Sequence, residues 1–403
     1  MTRFASVLAA LLVLAGSPAV AGRIEPSAPV TAPSTDRARM NLRVFDWVWN
    51  EVRRDYYDPR LHGVDWEAAR RQWRPVAQAA RDDRELYRAL NAMLDLLDDD
   101  HAAVLGPVSV RRNEGLRQRR AVIGVTLGRE DGDIYRVERV RPGSPAAEAG
   151  VISGWRLHTV DGRDSGTDFE VVEGRPLTLS LIDDAGVPRE AVVTPRTMEP
   201  VPAFSVDRSR EGVLVLRVEG FEPGLGRWLG DQLEGLPPET DVILDLRANP
   251  GGRLREANAV LACFLPRQQP WATRTARSGR TVVLKVVEPC GDLTAPVEND
   301  LAVLVDGASR SAAELTPAAL QEAGRALVVG ERTAGAVLIS QDTPLPDGGR
   351  LTLSRADLIT SGGVRLEKRG VEPDLAAVST HQDRRAGADP ALEAAIAALA
   401  ADL

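Results

Sequence analysis

The chain has 403 residues, 43% of them hydrophobic, with 50 Lys+Arg against 58 Asp+Glu, which is typical of a globular protein with about two or three domains. A net charge of −8 argues against a nucleic-acid-binding protein, because binding a polyanion requires a basic face. Two cysteines, Cys263 and Cys290, are too few for a disulfide-stapled module, and they are compatible either with one disulfide or with two buried thiols. Lys285 and Lys368 are the only lysines, so nearly all positive charge is arginine.

The first residues have the pattern of a secretory leader. Arg3 is followed by an apolar stretch too short to span a bilayer, and then by small residues that end in an Ala-x-Ala site. This pattern predicts a signal peptide over residues 1–21 and an exported protein, either periplasmic or extracellular. Residues 22–36 are rich in Pro, Ala, Ser and Thr, which predicts a disordered tether. No later segment predicts a membrane span.

The next region has helical periodicity. Apolar residues recur at three- and four-residue steps in two runs, one from Val44 to Val52 and one from Leu86 to Leu97. Turn signals at Asp58-Pro59 and around Gly63 separate the two runs. The pattern predicts an N-terminal helical region over residues 37–104 with three helices.

Residues 115–198 change to short β-like runs separated by Gly and Asp, with one short helix opened by Ser144-Pro145. The segment "VRPGSPAAEAGVISGWRLHTVDGR" resembles a PDZ domain. The resemblance implies a PDZ-like domain that binds a chain terminus by β-augmentation, with its capture loop near Ile123, Gly124 and Val125. The stretch "AVIGVTL" lacks a clean Gly-Leu-Gly-Phe sequence, and a purely scaffolding domain is the alternative.

From residue 199 onward, predicted strands alternate with predicted helices. This alternation predicts an α/β layered core with mostly parallel strands over residues 199–385, followed by an Ala-rich C-terminal helix over residues 386–403. The fold class expected for the whole chain is therefore α/β, with an N-terminal helical region, a PDZ-like β-rich domain and this core.

Two segments of the core place chemically useful groups at the ends of predicted strands. "DLRANPGG" ends in Gly251 and Gly252, whose N–H groups could form an oxyanion hole, although such a turn is often only a turn. "LVDGASRSAAEL" places Ser311 at a helix start, where exposed N–H groups favour a developing oxyanion. An N-cap serine without catalytic function is the alternative.

Together these segments resemble the C-terminal processing peptidase family and its tricorn-like relatives. Further matching pieces are "GRALVVGERTAG", "GVEPD", "FDWVWNEVRRDYYDPRLHGVDW" and "LLDDDHAAV". The resemblance implies a serine peptidase that acts on polypeptides without a cofactor. It implies Ser311 as nucleophile, with Ser309 as a weaker candidate, and an oxyanion hole formed by the N–H groups of Gly251 or Gly252 and Ala312.

The chain departs from the family where Ser-Lys enzymes carry their lysine. Ala336 occupies that position, and Ser340 occupies the position of a lysine-orienting glutamine. Neither Lys285 nor Lys368 lies at the matching place, so a Ser-Lys dyad is not expected. Another group must deprotonate Ser311, and histidine is the first choice because its ordinary pKa lies near neutrality.

Of the four histidines, His101 is the one at a matching place. His62, His158 and His381 lie in a turn, a strand and a polar tail. By resemblance to the tricorn-type peptidases, His101 is the base, Glu367 is a polar group that helps to orient the site, and Asp100 is a possible neighbour. A helix-end cap is the alternative for His101, and a solvated charge is the alternative for Glu367.

Two further expectations concern ligands. The run of Asp98 to Asp100 has no second acidic cluster with ligand spacing, so no metal site is expected. The missing lysine leaves a second function open, namely a non-catalytic peptide- or ligand-binding protein on a peptidase scaffold. The oligomeric state is not predicted.

Overall fold

A computed structural model describes residues 33–114, 120–129, 135–164, 171–380, 383, 386 and 388–401. The predicted signal peptide (residues 1–21), most of the predicted tether, and His381 lie outside the described residues. The first helix begins at Thr35, inside the predicted tether. Ser34 explains this start, because its side chain accepts a hydrogen bond from the Arg37 N–H as an N-cap.

Three α-helices form the N-terminal region, in agreement with the periodicity. They are α1 (Thr35–Asp55), α2 (Trp66–Ala79) and α3 (Asp83–Leu94), with 3₁₀ turns at Leu61–Gly63 and Asp95–Leu97. Asp65 and Asp82 cap α2 and α3 by accepting backbone N–H groups. The apolar faces bury Trp49 and Tyr56 in a shared core.

The β-rich region begins after the short strand β1 (Ala103–Leu105) and helix α4 (Pro107–Glu114). Its elements are β2 (Arg120–Val122), β3 (Val125–Arg129), β4 (Tyr135–Val140), α5 (Pro145–Glu148), β5 (Arg156–Val160), β6 (Arg163–Asp164), β7 (Leu177–Ile182), β8 (Pro188–Val193) and β9 (Arg196–Met198). One antiparallel sheet has the order β3-β4-β5-β7-β8, with β6 on β5, so β3 lies at its edge. Strands β2 and β9 pair where the chain enters and leaves this region.

The core contains a six-stranded sheet with the order β10-β11-β12-β15-β16-β19. Its strands are β10 (Phe204–Asp207), β11 (Val213–Val218), β12 (Asp241–Asp245), β15 (Leu301–Val305), β16 (Leu327–Gly330) and β19 (Leu375–Ala376). The pairs from β11 to β19 are parallel, and β10 is antiparallel to β11. Helices α6 (Leu225–Leu233), α7 (Leu254–Phe264), α8 (Ala312–Glu322) and α9 (Pro390–Leu399) accompany the sheet.

A second core sheet was not anticipated from the sequence. It is antiparallel and consists of β13 (Pro270–Ala276), β14 (Thr281–Lys285), β17 (Ile339–Pro344), β18 (Arg350–Thr360) and β1 from the N-terminal region. Because β1 pairs with β18, the turn before β1 is attached to the core. That turn contains His101.

Cys263 and Cys290 form a disulfide, with their Cα atoms 5.1 Å apart. This result decides between the two alternatives that the sequence left open. The bond joins α7 to the loop that follows β14. Both half-cystines are buried in the main core cluster.

Candidate active site

Ser311 lies at the start of α8 in a strained backbone conformation. Its φ of +55° is uncommon for a residue with a side chain. Its N–H donates to the Ala336 carbonyl oxygen at 2.8 Å and to Glu314 Oε2 at 3.1 Å. The position of the residue is therefore fixed from two sides. Its side chain is not fully buried, which leaves it accessible to a substrate.

Of the two glycines after β12, Gly251 lies against this serine and Gly252 lies against Phe221. A Cβ atom on Gly251 would be 2.7 Å from Ser311 Cβ, and a Cβ atom on Gly252 would be 2.5 Å from the Phe221 carbonyl oxygen. The Gly251 N–H donates to Asn249 Oδ1 at 2.8 Å, so it is already engaged. Among the described residues, the N–H groups of Gly252 and Ala312 have no protein acceptor. These two donors are free for a substrate oxygen.

Glu314 is a buried carboxylate that motif reasoning missed. It has no exposed surface, and its oxygens accept hydrogen bonds from the Thr333 hydroxyl and from the N–H groups of Ser311, Gly335 and Ala336. Burial raises the pKa of Glu314, although these hydrogen bonds oppose the shift. The Ser-x-x-Glu spacing of a capping box was the signal that could have revealed it.

Ala336, which by resemblance occupies the position of the family lysine, lies next to Ser311. The Ala336 carbonyl accepts from Ser311, and its side chain is buried. Lys368 is paired with Asp98 at 3.2 Å and Asp100 at 3.1 Å. Burial alone would lower the pKa of Lys368, but the two aspartates outweigh it and raise the pKa, so this lysine stays protonated.

His101 has a buried ring nitrogen, Nδ1, with no hydrogen-bond partner among the described residues. Its backbone N–H donates to Asp99 Oδ1 at 2.9 Å. Burial lowers the pKa of the imidazole, and the charges of Arg310 and Lys368 act in the same direction, whereas Asp99 and Asp100 oppose the shift. The ring is therefore neutral at neutral pH, as a general base requires.

Asp100, the predicted neighbour of His101, acts on the imidazole through its charge. Its carboxylate is paired with Lys368 and is largely exposed. Asp99 is the buried aspartate of the run, and it contacts the His101 backbone. Exposure alternates within the turn, so Asp99 is buried while Asp98 and Asp100 are exposed.

Glu367 is buried, with 6% of its surface exposed, so it is not a solvated charge. Its Oε2 accepts from the N–H groups of Val337 at 2.8 Å and Leu338 at 3.2 Å, and its Oε1 has no partner among the described residues. Burial raises the pKa of Glu367 to about 7. The two backbone hydrogen bonds oppose this rise, and the charge of Asp99 adds to it.

The remaining candidates have structural contacts. The Ser309 hydroxyl is fully buried and donates to the Leu246 carbonyl oxygen at 2.9 Å, which explains why it is a poor nucleophile candidate. Ser340 lies in β17. Ile123 is buried and Gly124 has a φ of +86°, and both precede the edge strand β3, which begins at Val125.

The described residues contain neither a membrane-spanning helix nor a metal-binding cluster. No helix there has the length and apolar character to cross a lipid bilayer. Within the same residues, no group of three or more His, Cys, Asp or Glu side chains is arranged so that it could hold a metal ion.

Comparison with known proteins defines the class. Residues 212–377 match the model of Peptidase family S41, and residues 41–95 match the Tricorn protease C1 domain. The protein is a serine-type peptidase, a hydrolase of peptide bonds, and the match to Peptidase family S41 lies in its core.

Its relatives are carboxyl-terminal processing proteases and tricorn homologues. A carboxyl-terminal-processing protease of Picosynechococcus sp. is 27% identical over 341 residues, covering 81% of this chain and 80% of the relative. Tricorn protease homolog 1 of Streptomyces coelicolor is 27% identical over 398 residues, covering 89% of this chain and 35% of the homologue. The solved structure of a photosystem II D1 C-terminal processing protease shares the fold, with a TM-score of 0.64, 23% identity, and coverage of 83% of this chain and 92% of the other.

Proposed function

We propose that this peptidase is exported and cleaves polypeptides with Ser311 as nucleophile and His101, rather than a lysine, as base. His101 would take the Ser311 proton during attack on the peptide carbonyl and return it to the leaving amine. The observation that carries the proposal is the neutral imidazole of His101, whose Nδ1 atom is buried, in a chain with Ala336 at the position that by resemblance belongs to the family lysine. Lys368 is unsuitable as a base because its aspartate partners keep it protonated.

The oxyanion hole in this proposal consists of the N–H groups of Gly252 and Ala312. Both donors are free of protein acceptors in the described structure, and Ala312 is the first residue of α8, whose positive dipole end favours a developing negative charge. Gly251 instead shapes the turn, since its N–H is engaged by Asn249.

Glu314 and Glu367 would orient the site by holding the segment that lies beside the nucleophile. Glu314 accepts from the N–H groups of Gly335 and Ala336, and Glu367 accepts from those of the next two residues. Four consecutive backbone donors are therefore held by two buried carboxyl groups. This arrangement keeps the Ala336 carbonyl on the Ser311 N–H.

Substrate capture is assigned to the β-rich region, which we propose to be PDZ-like. Its edge strand β3 is available for β-augmentation, and residues Ile123, Gly124 and Val125 lead into it. Export is supported by the leader pattern and by the Cys263–Cys290 disulfide, which is typical of oxidising compartments.

The test of catalysis uses the Ser311→Ala and His101→Ala variants, with enzyme isolated from the exported fraction. We expect both variants to lose peptide turnover by at least about 10³-fold, and Ser311→Ala to lose labelling by a fluorophosphonate. N-terminal sequencing of the wild-type preparation should begin at Gly22. Wild-type turnover should rise with pH through an apparent pKa below about 6.5, because burial lowers the pKa of His101.

Other results would point elsewhere. Unchanged turnover in either variant would remove the role given to that residue. Activity that appears only at clearly alkaline pH would indicate a lysine-like base. Peptide binding by wild-type protein without turnover or labelling would favour the non-catalytic peptide-binding protein. An N-terminus at Met1 would argue against export through the predicted leader.

A further inference from the structure

Four buried polar atoms near His101 have no hydrogen-bond partner among the described residues. They are the Tyr56 hydroxyl, Asp99 Oδ2, His101 Nδ1 and Glu367 Oε1. They come from three separate elements: the end of α1, the turn before β1, and the loop between β18 and β19. Leaving buried polar atoms unpaired is unfavourable, and a cluster of them calls for a functional explanation.

Asp99 is the member that influences all the others. Its Oδ1 already accepts the His101 backbone N–H at 2.9 Å, and only 8% of the residue is exposed. Burial raises the pKa of Tyr56 most, and the charge of Asp99 is the next largest cause of that rise. For His101, the charge of Asp99 is the largest of the effects that oppose the lowering of the pKa by burial. It also raises the pKa of Glu367. The carboxylate therefore lies among the other three groups.

Glu367 is less suited to carry the negative charge opposite the imidazole. Its Oε2 is committed to the N–H groups of Val337 and Leu338, so only Oε1 remains. Its raised pKa, about 7, keeps it protonated in mildly acidic solution, where it can donate a hydrogen bond rather than accept one. Two adjacent buried carboxyl groups do not readily ionise together.

We propose that Asp99 is the carboxylate that orients His101 through Nδ1, and that Tyr56 and Glu367 hold Asp99 in place as positioning residues. This inference rests on the proposed function of Ser311 and His101. In this proposal the His101 Nδ1–H would turn to donate to Asp99 Oδ2 when substrate binds, which would leave Nε2 free to take the Ser311 proton. The Asp99 carboxylate would balance the charge of the imidazolium until that proton passes to the leaving amine.

The experiment compares Asp99→Asn with Glu367→Gln and with Asp98→Asn as a matched control. Asp98 belongs to the same acidic run, but its side chain is 86% exposed. We expect Asp99→Asn to lower kcat by about 10²-fold or more with little change in KM, because the amide no longer balances the imidazolium. At pH 6 we expect the kcat of Glu367→Gln to stay within about tenfold of the wild-type kcat. We expect the kcat of Asp98→Asn to equal that of wild type.

The pH profile of kcat/KM distinguishes a role of Asp99 in orienting His101 from a general loss of folded protein. The groups whose charges act on His101 are Asp99, Asp100, Arg310 and Lys368. With the Asp99 charge removed, the remaining cations further disfavour the imidazolium, so the acid limb of kcat/KM should move to lower pH in Asp99→Asn. A misfolded variant would lose active enzyme at every pH without moving that limb.

Each outcome decides the matter. If His101→Ala abolishes turnover while Asp99→Asn keeps wild-type kcat and the same acid limb, the inference fails and the proposed function stands. If Glu367→Gln loses as much as Asp99→Asn at pH 6, Glu367 is the orienting group and the inference fails. If His101→Ala retains turnover, both fall. Should Asp99→Asn not fold, Tyr56→Phe decides: a fall in kcat of about tenfold at unchanged KM supports the inference, and unchanged kcat overturns it.

Discussion

Gly252 combines an open N–H group with a backbone that excludes any side chain. Its φ is +142°, and an added Cβ atom would lie 2.5 Å from the Phe221 carbonyl oxygen. The same close approach forms an isolated parallel bridge between Phe221 and Gly252. The direction of this N–H bond therefore depends on residue 252 being a glycine, without a side chain.

We expect Gly252→Ala to lower kcat by about 10²–10³-fold, because the donor can no longer point at the substrate oxygen. Gly186→Ala is the control, since Gly186 also has a positive φ, +78°, but an added Cβ atom would meet nothing within 4 Å. The control should lose about 1 kcal/mol of stability at most and keep its turnover. Equal turnover in both variants would exclude Gly252 from the oxyanion hole.

Sequence motifs provided candidate site residues but did not indicate the buried groups that hold the neighbouring backbone. Ser311 and Ala336 are indeed neighbours, because strand ends in a parallel sheet bring distant motifs together. Tyr56 and Glu314 were not anticipated, since each looks like an ordinary core or helix residue in sequence. Their importance depends on which buried atoms lack or find partners, and that is a property of the folded chain.

At the scale of elements, helices and buried parallel strands were predictable because their apolar periodicity is strong. The antiparallel sheet that contains β13, β14, β17 and β18 was missed. Strand β14 illustrates the reason, because its sequence, TVVLK, has no alternation of apolar and polar residues. Four of its five residues are exposed and none is fully buried, so no buried face imposes such a pattern. Its pairing is decided by neighbouring strands rather than by its own pattern.

The disulfide between α7 and the loop after β14 should contribute measurably to stability. It closes a sequence separation of 27 residues, for which the chain-entropy model gives about 3–4 kcal/mol. We expect a Cys263→Ser and Cys290→Ser double variant to show a lower Tm than wild type in calorimetry. Reductant should lower the Tm of wild type but not of the variant. Equal Tm values without reductant would contradict this expectation.

At the scale of the whole molecule, an ion pair joins the β-rich region to the residue before the nucleophile. Glu138 on β4 contacts Arg310 at 3.2 Å, and its side chain is only 13% exposed. Arg139, the next residue on the strand, pairs with Glu219 of the core. The region proposed to capture peptides is therefore connected to the backbone at Ser311.

We expect Glu138→Gln to lower kcat/KM for peptides about tenfold, since a charged hydrogen bond contributes about 1.5–3 kcal/mol. Fluorophosphonate labelling of Ser311 should persist, because the catalytic groups remain. The control is Glu190→Gln, on the exposed side of β8. An effect no larger than that of the control would show that the ion pair does not couple the two regions.

The disulfide has a further consequence because of where Lys285 lies. This exposed lysine at the end of β14 is one of only two in the chain, and it falls between Cys263 and Cys290. A lysine-specific protease that cuts there would leave the two fragments covalently attached. Such a nicked molecule would migrate as a longer chain until a reductant released the pieces, so gel mobility alone would conceal the break.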